Sequence, residues 1–290
     1  MTLALTPDLH CHSTYSILDG MGTPEAVVER AIMLGWSAAA LTEHGNIGSA
    51  PTFYRACRAT KWWRNSLYHK EGDPKPQIEP IIGCEFYVVP DEILGVRSKE
   101  VRSSSFHLTV LALSAEGYHN IVAWTTFAYQ PENHYYKPRI SLQAMAEQAP
   151  FPLHHNVVMS GCLGSELCHT LAESNGHGLL AGSSYVAALR SIFPNFYIEI
   201  QNHDMKKFHG RGYTVWEEMV EREKVMRGKL IELAEKTKTP LVLTNDSHYQ
   251  SSDQRKTHIA MKSSAWKQRD EDHYSKSVER RITEFLPDYV

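Results

Sequence analysis

Short apolar runs alternate with longer stretches of helical periodicity along this chain. Leu3 to Leu9, Trp36 to Thr42, Pro80 to Val89, Phe106 to Leu113, Val157 to Ser160, Phe196 to Gln201 and Pro240 to Thr244 read as strands. Thr23-Pro24-Glu25 sets a threonine N-cap before a proline at the first helical position. That opens a helix to about Leu34, closed by Gly35. Further helices are expected from about Ser49 to Trp63, from Ala115 to Phe127 and from about Thr214 to Lys236. Asn65 to Glu79, with Gly72, Pro74 and Pro76, reads as an excursion loop. Seven strand-like runs alternating with helical ones predict parallel strands joined by crossover helices. In such α/β sheets and barrels the working groups collect at the carboxyl ends of the strands. No internal repeat or second core is visible, so one domain over residues 1–260 is expected. Residues 261–290 are expected to form a helical, polar tail packed on that domain or trailing from it.

Composition narrows the class. With 290 residues, 42% hydrophobic and 22% charged, the chain has the make-up of a globular protein able to bury a full core. No apolar run reaches the roughly 18 residues of a membrane span, and no basic-then-apolar leader opens the chain. Five cysteines, an odd number with no C-x-x-C pair, argue against a disulfide framework and for a reducing cytoplasm. A net charge of −3 lacks the large basic excess of a general nucleic-acid binder. Sixteen histidines are the unusual item, since imidazole is the commonest metal ligand.

The histidines fall in a pattern. In Asp8-Leu9-His10-Cys11-His12-Ser13 the period of a strand points His10 and His12 to one face and Cys11 to the other. Two imidazoles side by side make a metal-ligand pair, although two surface histidines would look the same. Other apolar segments end on further ligand-type residues: His44, Glu85, His107, Cys162, Asp246 and His248, with Asp19 in the loop after His12. Each has an ordinary reading alone. His107 can be a satisfied core histidine, Cys162 a small buried hydrophobe, and Glu85 a solvated strand end. Taken jointly, nine such residues where a parallel fold gathers its loops point to a metal centre.

The chain here resembles the PHP (polymerase and histidinol phosphatase) domain, in the version at the N-terminus of bacterial replicative DNA polymerase alpha subunits. The matching stretches are Leu9–Ser13 with Ser16–Gly20, Leu41–Asn46, Gly83–Val88, Tyr135–Arg139, Ser160–Leu163, Phe196–Glu199 and Thr244–Tyr249. The resemblance runs from about residue 5 to 260. The resemblance implies a distorted seven-stranded (β/α)7 barrel of the PHP type holding three divalent metal ions. Carried over position by position, His10, His12, Glu85 and Asp246 would hold one ion. Glu85 would bridge to a second, held with His107 and Cys162. Asp19, His44 and His248 would hold the third. One position departs from the family, which has Asp where this chain has Glu43. If that carboxylate orients His44, its extra methylene changes the reach.

Such a donor set suits Zn²⁺, with Mn²⁺ or Fe²⁺ acceptable at its oxygen-rich positions. It supports phosphoester hydrolysis, and neither G-x-S-x-G nor G-x-x-x-x-G-K-[ST] offers another route. The resemblance implies a 3′–5′ exonuclease acting on DNA, single-stranded or at a 3′ end. Two alternatives stay open: a phosphatase of the histidinol-phosphatase type, and a non-catalytic, metal-stabilised module docked on a polymerase. The segment Tyr54 to Arg64 interleaves cations with aromatics, as single-strand binders do. Arg64, Lys137, Arg139, Lys206, Arg211 and Tyr249 are the candidate substrate contacts, although ordinary polar loops and a solvated helix face would look alike. A replicative polymerase or its accessory subunits are the expected protein partners, in a bacterial or virus-infected bacterial cytoplasm, with no membrane. Polymerase activity is not expected from this chain alone.

Overall fold

The computed structural model describes residues 7–58, 78–102, 104–173, 177–203 and 214–251, with 254, 257, 258 and 261. Seven strands form the sheet: β1 (Ala38–His44), β2 (Glu79–Val88), β3 (Phe106–Ala112), β4 (Arg139–Ile140), β5 (Asn156–Met159), β6 (Phe196–Gln201) and β7 (Leu241–Thr244). Their order is β1-β2-β3-β5-β6-β7, with β4 paired to β2. The helices are α1 (Pro24–Met33), α2 (Ala50–Arg58), α3 (Ala115–Ala128), α4 (Leu142–Gln148), α5 (Glu166–Glu173), α6 (Gly178–Ile192) and α7 (Thr214–Thr237). Thr23 caps α1 as its sequence requires, its side chain accepting the Ala26 N–H at 3.3 Å. No helix among the described residues is long and apolar enough to cross a membrane.

Strand direction departs from the expectation. β3 runs antiparallel to both β2 and β5, whereas β1–β2, β5–β6 and β6–β7 are parallel. Among its described residues, the link from β2 to β3 carries only a 3₁₀ turn at Asp91–Ile93. Without a crossover helix to carry the chain back, neighbouring strands pair antiparallel.

The opening strand also differs. Leu3 to Thr6 lie outside the described residues, and Pro7 to Leu9 are not in a strand. Instead, Cys11 alone bridges to Ser247 in parallel. The His12 N–H donates to Ser247 O at 2.8 Å and the Ser247 N–H to His10 O at 2.9 Å. On the other side the Thr42 N–H donates to Cys11 O at 2.8 Å. The sheet is therefore a curled half-barrel whose two edges are tied through three residues. A complete (β/α)7 barrel is not drawn by the hydrogen bonds among the described residues.

Two apolar clusters hold this sheet. The larger joins Phe86, Leu108, Val110 and Val158 of the strands to Ile121, Trp124, Met145, Leu189 and Leu233 of the helices. Trp124 buries its ring completely and still donates its indole N–H to Met145 O at 2.7 Å. The smaller packs Val27, Val28 and Ala31 of α1 and Phe53 and Cys57 of α2 on Ala39 and Leu41 of β1, with Cys11. Burying Cys11 there turns His10 and His12 to the opposite side, as strand alternation requires.

Candidate metal centre

His10 and His12 flank the bridging Cys11, and neither imidazole is exposed to solvent. Glu85, from the middle of β2, lies between them and the neighbouring donors. Its Oε1 is 3.3 Å from His10 Nε2 and 2.8 Å from His107 Nδ1, and its Oε2 lies against His44 Nδ1. Asp246 Oδ1, just past β7, is 3.3 Å from His10 Nε2 and 3.1 Å from His12 Nε2. Its φ of 50° is left-handed, which Asp tolerates better than most residues. Cys162 Sγ is 3.4 Å from His107 Nδ1 and 3.7 Å from Glu85 Oε1. It follows Gly161, whose φ of 87° and close approach to His107 O leave no space for a side chain.

The outer side is built on Asp19. Its carboxylate is 3.3 Å from His44 Nε2 and 3.4 Å from His248 Nε2. Gly20 packs against Ser13, where a Cβ would fall 1.9 Å from the carbonyl oxygen, and so turns the chain tightly enough to deliver Asp19. All nine sequence candidates thus lie in one continuous cluster. Three groups have donor atoms within 4.8 Å of one another: His10, His12, Glu85 and Asp246; His44, Glu85 and His107; and His12, His44 and His248. Ions bound at about 2.0–2.3 Å leave their ligands roughly 3–4 Å apart, which the first group matches. The other two have His44 in place of Cys162 and His12 in place of Asp19, and so differ from the second and third sets that the resemblance implies.

The tautomers fit as well. The Ser16 hydroxyl donates to Glu43 Oε2 at 2.6 Å, so its oxygen accepts the His12 Nδ1–H at 2.9 Å. His10 Nδ1–H donates to Glu199 Oε1 at 2.7 Å, and His248 Nδ1–H to Asp246 O at 2.8 Å. In each case the Nε2 lone pair is left facing the cluster. His10 Nε2, His12 Nε2, His44 Nδ1, Glu85 Oε2 and Asp246 Oδ1 are buried and meet one another in the ion-pair contacts above, without a well-aligned hydrogen bond among the described residues. Buried polar atoms are ordinarily satisfied, and five facing one space are what divalent ions would complete.

Charge in the cluster is tightly coupled. Burial would raise the Glu85 and Asp246 carboxyls, but the surrounding imidazoles hold both well below the carboxylate range. Burial, then the charge of His44, pushes His12 down to about 3. For His44 the Glu85 and Asp19 carboxylates outweigh burial and hold it at about 9. Burial, then Glu85 and Asp246, pushes the Cys162 thiol up.

Several residues do something other than expected. Glu43 does not reach the His44 ring. It accepts from the Ser13 N–H at 3.1 Å and from the Ser13 and Ser16 hydroxyls, and so governs His12 through Ser16. Arg139 is not phosphate-facing. It is 2% exposed and donates from Nε to Asn133 O at 3.2 Å and from Nη2 to Val96 O at 2.9 Å. Lys137 does lie near the cluster, its Nζ 4.0 Å from the centre of the Tyr87 ring, which packs on His107. Tyr249 packs on His258. Arg64, Lys206 and Arg211 lie outside the described residues, as do Lys61 to Lys70.

Supporting residues went unread in the sequence. Glu199 is 1% exposed and accepts from His10, Thr244 at 2.5 Å, Gln201 at 3.1 Å and the Gly161 N–H at 3.1 Å. An acid inside the apolar strand Phe196–Gln201 was the available signal. Asp8 ties the ends together, accepting the His10 N–H at 3.2 Å, the Asn245 N–H at 3.0 Å and the Ser247 hydroxyl at 2.6 Å. His258 Nε2 stands 3.4 Å from Asp19 Oδ1, and no periodicity marks it.

DNA polymerase III subunit alpha of Treponema pallidum is 33% identical over 243 residues, covering 83% of this chain and 17% of that protein. The Chlamydia pneumoniae subunit is 28% identical over 248 residues, covering 83% and 18%. The chain therefore spans less than a fifth of the length of these relatives. Among solved structures, an amidohydrolase from Chromobacterium violaceum aligns with a TM-score of 0.46 at 13% identity, covering 83% of this chain and 87% of that one. Histidinol phosphate phosphatase from Lactococcus lactis, complexed with zinc, L-histidinol and phosphate, aligns at 0.35 and 14%, covering 89% and 93%. The family model described as PHP domain matches residues 8–203, two thirds of the sequence and most of the cluster's donors, and by that match the chain belongs to the PHP domain family.

Proposed function

We propose that this chain is a metal-dependent phosphoesterase whose reaction is 3′–5′ exonucleolytic hydrolysis of DNA at a centre of three divalent ions, Zn²⁺ or Mn²⁺ with Fe²⁺ as a variant. The observation that carries the reading is a set of five buried donor atoms that crowd on one another and make no well-aligned hydrogen bond among the described residues. Divalent ions held there would activate water toward hydroxide near neutral pH and offset charge building on the phosphoryl oxygens. The chain's own part is to fix the donors. Glu199 and Ser16 hold the Nδ1–H of His10 and His12, so neither imidazole can turn its lone pair away. Glu85 touches donors on both sides and would set the spacing between ions. Lys137, over Tyr87, would be the cation that meets a phosphate oxygen. The polarity and the DNA substrate rest on the relationship to replicative polymerase subunits, as do the proposed partners and a cytoplasmic location.

Purified protein, its metal content measured, should be incubated with 5′-labelled single-stranded DNA and separately with an aryl phosphate. The reading expects a ladder shortening from the 3′ end, abolished by chelator and restored by Mn²⁺ or Zn²⁺. Turnover of the aryl phosphate with intact DNA would establish the phosphatase instead. Inertness toward both at full metal occupancy would leave the non-catalytic module.

A further inference from the structure

A groove beside the donor cluster has no part in the chemistry above. About 390 Å³ in volume, it is lined by Thr14, Tyr15, Ile17, Asn46 and Tyr129. Tyr129 also borders a second depression of about 420 Å³ with Ile47, Val122 and Gln130. Its walls are the loops that carry the donors: Thr14 is two residues past His12, Ile17 two before Asp19, and Asn46 two past His44. Large apolar side chains are displayed there rather than buried. Tyr15 is 39% exposed, Ile17 82% and Tyr129 50%, and Leu18, which follows Ile17 outside the lining, is 47% exposed. Leu18 also holds a φ of 63°, a conformation that costs a non-glycine residue and recurs at ligand clamps. The turn is nonetheless fixed, with the Ser16 N–H on Ser13 O at 2.9 Å and the Gly20 N–H on Ser16 O at 2.8 Å. Asn46 donates to Tyr15 O and His44 O, both at 3.1 Å, and Gly48 packs against the Tyr15 ring. None of the lining residues carries a charge, so the groove suits a flat, neutral group rather than a phosphate.

We infer that this groove seats the base of the DNA nucleotide whose phosphate lies at the donor cluster, with Tyr15 and Tyr129 as stacking faces. The inference rests on the nuclease reading and names the part of its substrate that the metal centre does not hold. Ile17 would meet the sugar and base edge.

Binding of a 5′-labelled phosphorothioate oligothymidylate, bound but not cut, is read by fluorescence anisotropy with metal-loaded protein. An otherwise identical oligomer with an abasic 3′ residue is the control. Wild type should bind the complete oligomer about tenfold more tightly than the abasic one. Tyr15→Ala and Tyr129→Ala should each remove most of that preference, and Tyr15→Phe, which keeps the ring, should restore it. Equal affinity of wild type for the two oligomers overturns the inference and leaves the groove to a protein partner. So does a normal preference in folded alanine variants. If those variants do not fold, the wild-type comparison decides alone. The nuclease reading is judged separately on a phosphodiester oligomer, because absence of cleavage sinks that reading whatever the anisotropy shows.

Discussion

The two sides of the donor cluster are built differently. On the inner side His10, His12 and Glu85 are wholly buried, and each imidazole is pinned by a second buried group, Glu199 or Ser16. On the outer side the side chains of Asp19, His44, His248 and His258 are 13–23% exposed, and three imidazoles converge on Asp19. The inner donors come from β2 and from backbone tied into the sheet edges, the outer ones largely from loops. Preorganisation costs least where the scaffold is rigid, so the inner side should hold its ions tightly and the outer side should exchange them. Glu85 belongs to both sides, since it meets His10 on one and His44 on the other.

Substitutions can break that contrast in order of effect. Glu85→Gln should be the most damaging, because it removes the charge shared by both sides and strands buried imidazoles. A loss of about 3–5 kcal/mol in denaturant unfolding is expected. Metal analysis should show both sides depleted and hydrolysis gone. Asp19→Asn should act on the outer side alone: stability within about 0.5 kcal/mol of wild type and one ion fewer per chain by mass spectrometry. Loss of every ion would show that the sides are not separable. Glu199→Gln should keep the ions but weaken inner binding about 10–100-fold in competition with a chelating dye, with outer affinity unchanged.

The smallest effect concerns the tether behind Asp246. His203 bonds Glu223 of α7 through Nδ1 and Asn245 O through Nε2 at 2.5 Å. The Glu223 hydrogen bond raises the His203 pKa above 6.5. The pair therefore contributes stability that is full below about pH 6.5 and lost as pH rises through the raised value. Thermal melts should show wild type losing stability over that rise, and Glu223→Gln should flatten the profile. A Glu223→Gln profile parallel to wild type would remove the tether from the account.

Much of the fold was legible because six of the seven expected strands are short apolar runs, most of them buried in the sheet, although Leu241 and Leu243 of β7 are exposed. The direction of β3 was not, since periodicity is the same whichever way a strand runs. β4 has two residues and α4 seven, too short to show a period, and the glycine and serines of α6 obscure its apolar face. The donors were legible as a set rather than one by one: each has an ordinary reading alone, and it is their recurrence beside apolar runs, with the family resemblance, that singles out the nine. What was not legible depends on tertiary contact. Nothing local shows Glu43 working through Ser16 rather than on His44, or Arg139 spent on two carbonyls within the fold.

The central claim is that nine side chains enclose divalent ions around Glu85. Anomalous diffraction from crystals equilibrated with Mn²⁺ or Zn²⁺ tests it most directly. The account predicts three peaks, one bounded by His10, His12 and Asp246, one by His107 and Cys162, and one by Asp19, His44 and His248, with Glu85 joining the first two and meeting the third through its contact with His44. A cluster without anomalous signal, or ions bound only elsewhere on the surface, would contradict it.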